Sequence, residues 1–390
     1  MSNIKKVVFV SNYYTHHQSP FCENMRERIG NNFFFIETEE MDEQRTNMGW
    51  TIQKPPFVLN YNNNKSLCDD IIKTSDVMIF GNCPQRIIDY RLKTKKMTFA
   101  CSERIYKKGF KLWKTFKWIF TVNRKYPNRK NFYLLCPSAF SSFDFSRTFT
   151  FKKKCYKWGY FPKTFRYDIR ELIEKKENDN FVSILYVSRL IPLKRPEYPI
   201  FLAKKLKEDG ISFHLTIIGS GQMENEISSL IKSLSLESYI THISSIPSNE
   251  IRNYMEKANI FIFTSDKHEG WGAVINESMN SGCAVVTSSA VGSTPYLIKN
   301  NVNGYVFKDG DFEDFYTKVK ELCFDKKKRE RFGMEAYDTI VKTWNAEKAV
   351  DNFLALVNDL TFNKQSNVIN EGPCSIAQII KDNWFDGYKI

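Results

Sequence analysis

Short apolar runs recur along the first third of the chain, separated by longer stretches whose apolar residues return every three or four positions. Lys6–Ser11, Phe33–Glu37, Asp76–Gly81 (DVMIFG), Met97–Cys101 (MTFAC) and Phe132–Cys136 (FYLLC) are nearly continuous in apolar residues. Strands covered by helices on both faces read this way, so these runs predict a buried parallel sheet. Phe21–Ile29 and Cys83–Lys93 read as helices between them, and the Asp69–Asp70 pair as the start of another. Pro137–Lys163 is aromatic and basic and suggests no element. Tyr167–Asn180 (YDIRELIEKKENDN) is polar and reads as a connection.

A second alternation then begins. Phe181–Val187, Phe213–Gly219, Tyr239–Ile243, Ile260–Thr264 and Cys283–Thr287 read as strands. Pro196–Lys207, Met223–Ser233 and Ser248–Lys257 read as helices, and the chain is helical from about Asp311. Alternating strand and helix predicts the α/β class, with two successive doubly wound domains. The expected boundaries are residues 1–166, a linker at 167–180, a second domain at 181–345, and C-terminal helices at 346–390. The last of these helices, near Trp384, is expected to pack back on the first domain.

At 390 residues the chain exceeds what one core usually fills, which agrees with two domains. Its 42% hydrophobic and 26% charged content fits a globular protein. No apolar run reaches the roughly 18 residues of a membrane span, and the N-terminal apolar stretch is too short for a signal peptide. Nine cysteines lack CxxC or metal-type spacing, which points to reduced thiols in the cytosol. The net charge of +13 is uneven: Arg104–Lys130 holds ten Lys/Arg and no acid. Arg104, Lys107, Lys111 and Lys114 step along one helical side, with Ile105, Leu112, Phe116 and Ile119 opposite. Such a basic amphipathic segment is either a solvated helix face or a surface for anionic lipid headgroups. Nucleic acid is not an expected partner, since no recognition module accompanies the charge.

Candidate chemistry concentrates in HEGWGAVINESMNSGCAVVTSSAVGSTPYLI, residues 268–298. Glu269 precedes Gly270, Trp271 and Gly272, and Glu277 follows within an apolar helix. Glycines let a ligand approach the backbone, and a helix start offers unpaired N–H groups, here from Ala273 and Val274. Carboxylates accept several hydrogen bonds and suit sugar or ribose hydroxyls. The strand ending at Val187 runs into Ser188, Arg189 and then Lys194, two cations placed to clamp a diphosphate. A further strand ends in Gly219-Ser220-Gly221, and the loop Val291–Pro295 could turn its amides to phosphate. In the first half, the loop after the first strand carries His16 and His17, and Ser102, Glu103 and Arg104 follow another strand. An acceptor-side role and a plain polar loop both remain open for these residues. No acidic or His/Cys cluster has metal-ligand spacing, so no metal is expected.

These residues resemble the retaining nucleotide-sugar glycosyltransferases of the GT-B fold, particularly the large group called family four. Its hallmark E-x7-E motif is matched by Glu269 and Glu277, and Arg189 and Lys194 in SRLIPLK resemble its diphosphate-binding pair. NYYTHHQ, SERIYK and KWGYFP look like a bacterial subgroup that builds capsule, exopolysaccharide or lipopolysaccharide glycans. The chain departs from many relatives in lacking a glycine-rich loop after the first strand.

The resemblance implies two Rossmann-like domains facing a cleft, with the donor in the second and the acceptor in the first. Glu269, Arg189 and Lys194 would serve the transfer. Glu277, Gly270, Trp271, Gly272, Ala273, Val274, Gly219, Gly221 and Ser188 would hold the nucleotide sugar, with uridine the expected base. His16, His17, Ser102, Glu103 and Arg104 would meet a glycan or lipid-linked acceptor. No cofactor is implied beyond the nucleotide-sugar co-substrate. The implied location is cytoplasmic, at the inner face of the membrane. Two other readings stay open: a non-catalytic nucleotide-sugar binder in a polysaccharide assembly complex, and a sugar-nucleotide epimerase of the same fold.

Overall fold

The computed structural model describes residues 6–41, 52–106, 115–177, 179–248, 250–362 and 369–387. The chain divides into two compact units. One comprises Met1–Lys163 and Trp344–Lys381, the other Thr164–Thr343 and Asp382–Ile390.

The first unit is built on a seven-stranded parallel sheet: β1 (Val7–Ser11), β2 (Phe33–Glu37), β3 (Val58–Asn60), β4 (Val77–Phe80), β5 (Met97–Cys101), β6 (Phe132–Cys136) and β7 (Cys155–Lys157), in the order β3-β2-β1-β4-β5-β6-β7. The order reverses beside β1, which pairs with β2 on one side and β4 on the other. At such a switch point the loops leaving the strand C-termini diverge and open a crevice for ligands. β1, β4 and β6 are buried along their whole length, as their unbroken apolar runs require.

The second unit carries a six-stranded parallel sheet: β8 (Val182–Val187), β9 (Phe213–Ile218), β10 (Ile240–Ile243), β11 (Ile260–Phe263), β12 (Ala284–Ser288) and β13 (Tyr305–Phe307), in the order β10-β9-β8-β11-β12-β13. Its switch point lies between β8 and β11. A core of Ile184, Tyr186, Leu215, Ile217, Ile260 and Val286, all fully buried, packs one sheet face against the helices Glu197–Glu208 and Phe312–Phe324.

Four segments differ from the sequence expectation. Residues 167–180 are not a free connection. Asp168 caps the helix Ile169–Lys176 by accepting from the Arg170 and Glu171 amides at 3.1 and 3.2 Å. Ile169 and Ile173 of that helix press against Gly282, and buried Lys176 donates to the Met255 and Ala258 carbonyls. Arg170, Glu171, Glu174 and Lys175 form its solvent side. Arg104 does not begin a basic helix. It lies in a loop, residues 107–114 fall outside the described residues, and the helix runs Thr115–Lys125. The Asp69–Asp70 pair sits inside the helix Lys65–Thr74 rather than at its start, where Asp69 accepts from the Tyr61 hydroxyl at 2.8 Å. Finally, the segment near Trp384 belongs to the second unit as a short 3-10 turn, Trp384–Gly387. It is the helix Ala346–Phe362 that packs on the first unit, through Phe353 against Phe21 and Phe99 and through Asp351 to Arg28 at 2.9 Å.

Candidate active site

In the second unit, chain order and switch point bring two strand ends together. The loop leaving β8 carries Ser188, Arg189 and a 3-10 turn Pro192–Lys194. The loop leaving β11 carries Asp266, His268 and Glu269. Lys194 and Glu269, 75 residues apart, meet in an ion pair whose side chains are 12% and 15% exposed. The Lys194 ammonium also lies 4.9 Å from the centre of the Phe263 ring. Its backbone is fixed as well: the Lys194 carbonyl accepts from Tyr186 and Thr264 hydroxyls at 3.0 and 2.7 Å. Arg189, by contrast, is exposed and has no partner among the described residues. One cation is thus held and one is free at the same strand end.

Gly219 and Gly221 belong to this construction. The loops after β8 and β9 are zipped by Ser188 N to Ile218 O (3.0 Å) and Leu190 N to Ser220 O (2.8 Å). A Cβ on Gly219, at φ +151°, would stand 1.8 Å from the Ser188 carbonyl oxygen. Backbone cannot rotate away, so only glycine permits the approach that places Ser188 and Arg189.

Gly272, at φ +84°, starts the helix Ala273–Asn280, and a Cβ there would meet Phe263 at 2.9 Å. The first amides of this helix, those of Ala273 and Val274, are the ones a helix leaves without intrahelical partners. Glu277 lies one turn further along. It is partly buried, and its carboxylate has no hydrogen-bond partner among the described residues. Burial pushes its pKa above the usual carboxyl range, with the Arg252 guanidinium pulling the other way. Arg252 binds beneath it, donating to the Glu277 carbonyl at 2.9 Å and to Asn280 and Ser281.

The structure corrects one member of the expected set. Trp271 is 1% exposed and its indole N–H donates to Asn276 at 2.8 Å, so its side chain is core and offers a ligand nothing. Other residues were not singled out from sequence. Arg195 follows Lys194 and pairs with Asp309 at 2.6 Å. Asp309 N bonds Ser289 Oγ at 3.0 Å, and Ser289 O accepts the Trp384 indole N–H at 2.9 Å. The C-terminal turn therefore clasps the loop after β12. Three hydroxyls buried in these strand-end loops, Ser188, Ser265 and Ser293, have no partner among the described residues. Only the concentration of Ser and Thr in TSSAVGST hinted at this network.

In the first unit, His16 and His17 follow β1, and Ser102, Glu103 and Arg104 follow β5. The His17 ring stacks on Tyr160 (6.0 Å, 17°), whose hydroxyl donates to Glu103 at 2.7 Å. Burial holds both imidazoles neutral: that of His17 is pushed down to about 3, with His16 adding to the effect, and that of His16 is also lowered. Neutral imidazoles can accept or donate a hydrogen bond but carry no charge for an anion. Ser102 Oγ is turned to the Glu103 carbonyl at 3.0 Å. Arg104 is corrected more firmly. It is 3% exposed in an ion pair with Asp144, 1% exposed, at 3.2 Å, and stacks over Phe140. A guanidinium so enclosed does not reach an acceptor.

Comparison with known proteins bears on the second unit most directly. Residues 168–339 match the profile described as glycosyl transferases group 1. This stretch is a group 1 glycosyl transferase domain. The chain is 31% identical over 158 residues to the amylovoran biosynthesis glycosyltransferase AmsK of Erwinia amylovora, covering 39% of this chain and 37% of that protein. It is 24% identical over 177 residues to a poly(ribitol-phosphate) alpha-N-acetylglucosaminyltransferase of Staphylococcus aureus, covering 44% and 34%. The match thus spans about a third of each relative's length. Among solved structures, Anabaena HepE in complex with UDP and glucose superposes over 90% of this chain and all of its own, with a TM-score of 0.64 at 14% identity. The two-sheet α/β fold is that of GT-B glycosyltransferases. The matched stretch contains the Lys194–Glu269 pair, Gly272 and Glu277.

Proposed function

We propose that the chain is a retaining, metal-independent glycosyltransferase that moves a sugar from a nucleotide diphosphate donor to a glycan or lipid-linked acceptor. The observation that carries this reading is the switch-point cluster of the second unit. A held cation, Lys194, and a free one, Arg189, stand beside an open helix start. Breaking a glycosyl–phosphate bond leaves negative charge on the diphosphate oxygen, and fixed cations there lower the barrier. Lys194 has three N–H donors, so bonding Glu269 leaves two for phosphate oxygens. The Ala273 and Val274 amides face the same charge. Glu277, a carboxylate without a partner, suits the two hydroxyls of a ribose. Glu269 orients Lys194 and the sugar carried by the phosphate.

HepE crystals hold UDP-glucose as well as UDP, which supports a uridine donor here. The relatives named for amylovoran and colanic acid synthesis support an extracellular or surface polysaccharide as the product, assembled at the inner face of the membrane. His17, Tyr160 and Glu103 of the first unit supply neutral donors and one carboxylate for an acceptor hydroxyl.

The test is a melting-point screen against UDP-, GDP- and ADP-sugars, followed by turnover with candidate acceptors in EDTA and NMR of the product anomer. A UDP-sugar should raise the melting point, since a ligand that binds only the folded state stabilises it. Product should form in EDTA with the donor's anomeric configuration. Binding with no turnover on any acceptor would favour a non-catalytic binder, and conversion without acceptor an epimerase. Loss of activity in EDTA would overturn metal independence.

A further inference from the structure

We infer that the first unit docks on an anionic lipid surface through two exposed rings, Phe149 and Phe120. The inference does not depend on the donor-site assignment, since neither of these residues belongs to the second unit.

The charge pattern comes first. Between Glu103 and Asp168 the chain has 17 Lys/Arg and a single acid, Asp144. That acid is sealed in the ion pair with Arg104. This span carries +16, more than the +13 of the whole chain, so the remainder is slightly negative. The chain is polarised, and the surface of this span is cationic wherever it meets solvent. Arg124, Arg129, Lys130, Lys152 and Lys153 are all exposed.

Apolar side chains stand out among those cations. Phe149 is 77% exposed, Phe120 71% and Trp118 40%. Phe149 is held out by its neighbours rather than left loose. Thr148 and Thr150 on either side are buried, bond each other at 2.8 Å, and both donate to the Phe145 carbonyl. Phe151 is 4% exposed and packs on Phe132, Phe145 and Tyr126. This pinned loop keeps Phe149, Phe151 and Lys153 at φ of 60°, 53° and 58°. Bulky residues rarely occupy that region, and such strain persists only where surrounding packing enforces it. The fold therefore pays a conformational cost to present a phenyl ring to solvent beside two lysines.

The helix Thr115–Lys125 supplies the second ring. Val122 and Tyr126 turn inward to the core, Trp118 on the same stripe packs on Tyr106 at 5.4 Å, and Phe120 and Arg124 lie on the opposite, outward side. Asn123, one turn beyond Phe120, donates to the Thr148 carbonyl at 3.0 Å, which joins this helix to the residue before Phe149. Phe120 and Phe149 thus flank one tie point. Rings that enter the headgroup layer, ringed by cations that neutralise anionic lipid, are the chemistry of an interfacial anchor. A soluble polyanion would use the charge but leave the rings in water.

The test is sedimentation of the full chain with phosphatidylcholine vesicles, with and without phosphatidylglycerol, at low and high salt. The wild type should pellet with the mixed vesicles and less at high salt. Phe149→Asn and Phe120→Ser should each lower the partition coefficient about tenfold, the loss expected for one buried aromatic ring. Neither should lower the melting point, because both side chains are exposed and Asn tolerates the left-handed region. Equal pelleting by wild type and Phe149→Asn, or equal pelleting with neutral vesicles, would overturn the inference. So would competition by soluble polyphosphate with no effect of either phenylalanine change, which would assign the face to a free polyanion.

Discussion

Replacing Lys194 with methionine tests the centre of the site, because it keeps the length of the side chain and removes only the charge. In the wild type the ammonium and the Glu269 carboxylate are 12% and 15% exposed. Deleting one partner of a fully buried pair costs about 3–5 kcal/mol, because the other charge is left uncompensated. At this residual exposure water partly screens the orphan, so the lower end applies and Lys194→Met should cost about 2–3 kcal/mol in urea unfolding. Glu269→Gln leaves the ammonium with an amide oxygen and the Phe263 ring, and should cost less. The double variant carries no orphan, so its loss should fall short of the two single losses added together by about 1–2 kcal/mol. Function should not be rescued in parallel. Lys194→Met should lower kcat/KM by roughly 100–1000-fold, as removal of a fixed electrostatic donor does elsewhere. The double variant should be no better, since the leaving phosphate still lacks its cation. Additive stabilities would mean that the pair does not couple. Unchanged turnover in Lys194→Met would refute the placement of the leaving group at this strand end.

Three further outcomes follow from individual contacts. Burial raises the folded-state pKa of Glu277 above the ordinary carboxyl range, so ionising it costs stability as pH climbs through that folded value. Glu277→Gln should therefore stabilise the protein at pH 7 more than at pH 4 in parallel urea titrations, while weakening UDP binding by calorimetry. His17 is depressed to about 3 from 6.5, so its contribution is complete above pH 6.5 and lost as pH falls toward 3. Folding should weaken by about 2 kcal/mol between pH 8 and pH 5 from this group, a slope that His17→Asn should flatten. Trp384→Phe deletes the 2.9 Å bond to Ser289 O but keeps the ring. It should cost about 1 kcal/mol and raise the donor KM several-fold with kcat nearly unchanged, read by steady-state kinetics.

What could be read from the sequence follows a physical line. Central strands announce themselves, because burial on both faces demands an unbroken apolar run. β1, β4, β6 and β11 lie within a residue or two of the expected positions. Three of the four edge strands do not: β3, β7 and β13 are three residues each and too short to carry a pattern, whereas the edge strand β10 was expected. Candidate residues that sit next to each other in sequence, such as Glu269 and Gly272, can be picked out from spacing and glycine content. Long-range partners were not. Nothing local distinguishes Asp144 or Asp309 from a surface acid, yet each neutralises an arginine far away in sequence. The same blindness misassigned Arg104, whose charge looked free until its partner came from the helix Ser141–Ser146. Trp271 misled for the opposite reason: a tryptophan between two glycines resembles a ligand platform, and only packing reveals that its ring is core.

The two strand-end sites differ in charge in a way that fits the proposed reaction. In the second unit Arg189 stands free and Lys194 retains donors, so an anionic group is favoured there. In the first unit Arg104 is cancelled by Asp144, both histidines are neutral, and Glu103 holds a tyrosine hydroxyl. Among the described residues of the β5 loop the one cation, Arg104, is paired with Asp144, so a phosphate placed beside Glu103 would meet a carboxylate there. A sugar hydroxyl would meet a good acceptor and neutral imidazole. Each half thus suits one partner of a glycosyl transfer: a leaving diphosphate in the second unit and an uncharged hydroxyl in the first. Introducing a cation should break that division. Ser102→Lys places an ammonium beside Glu103. It should shift acceptor preference toward phosphorylated sugars in a competition assay while leaving the donor KM unchanged. An unaltered preference would show that acceptor charge is set elsewhere than at the end of β5.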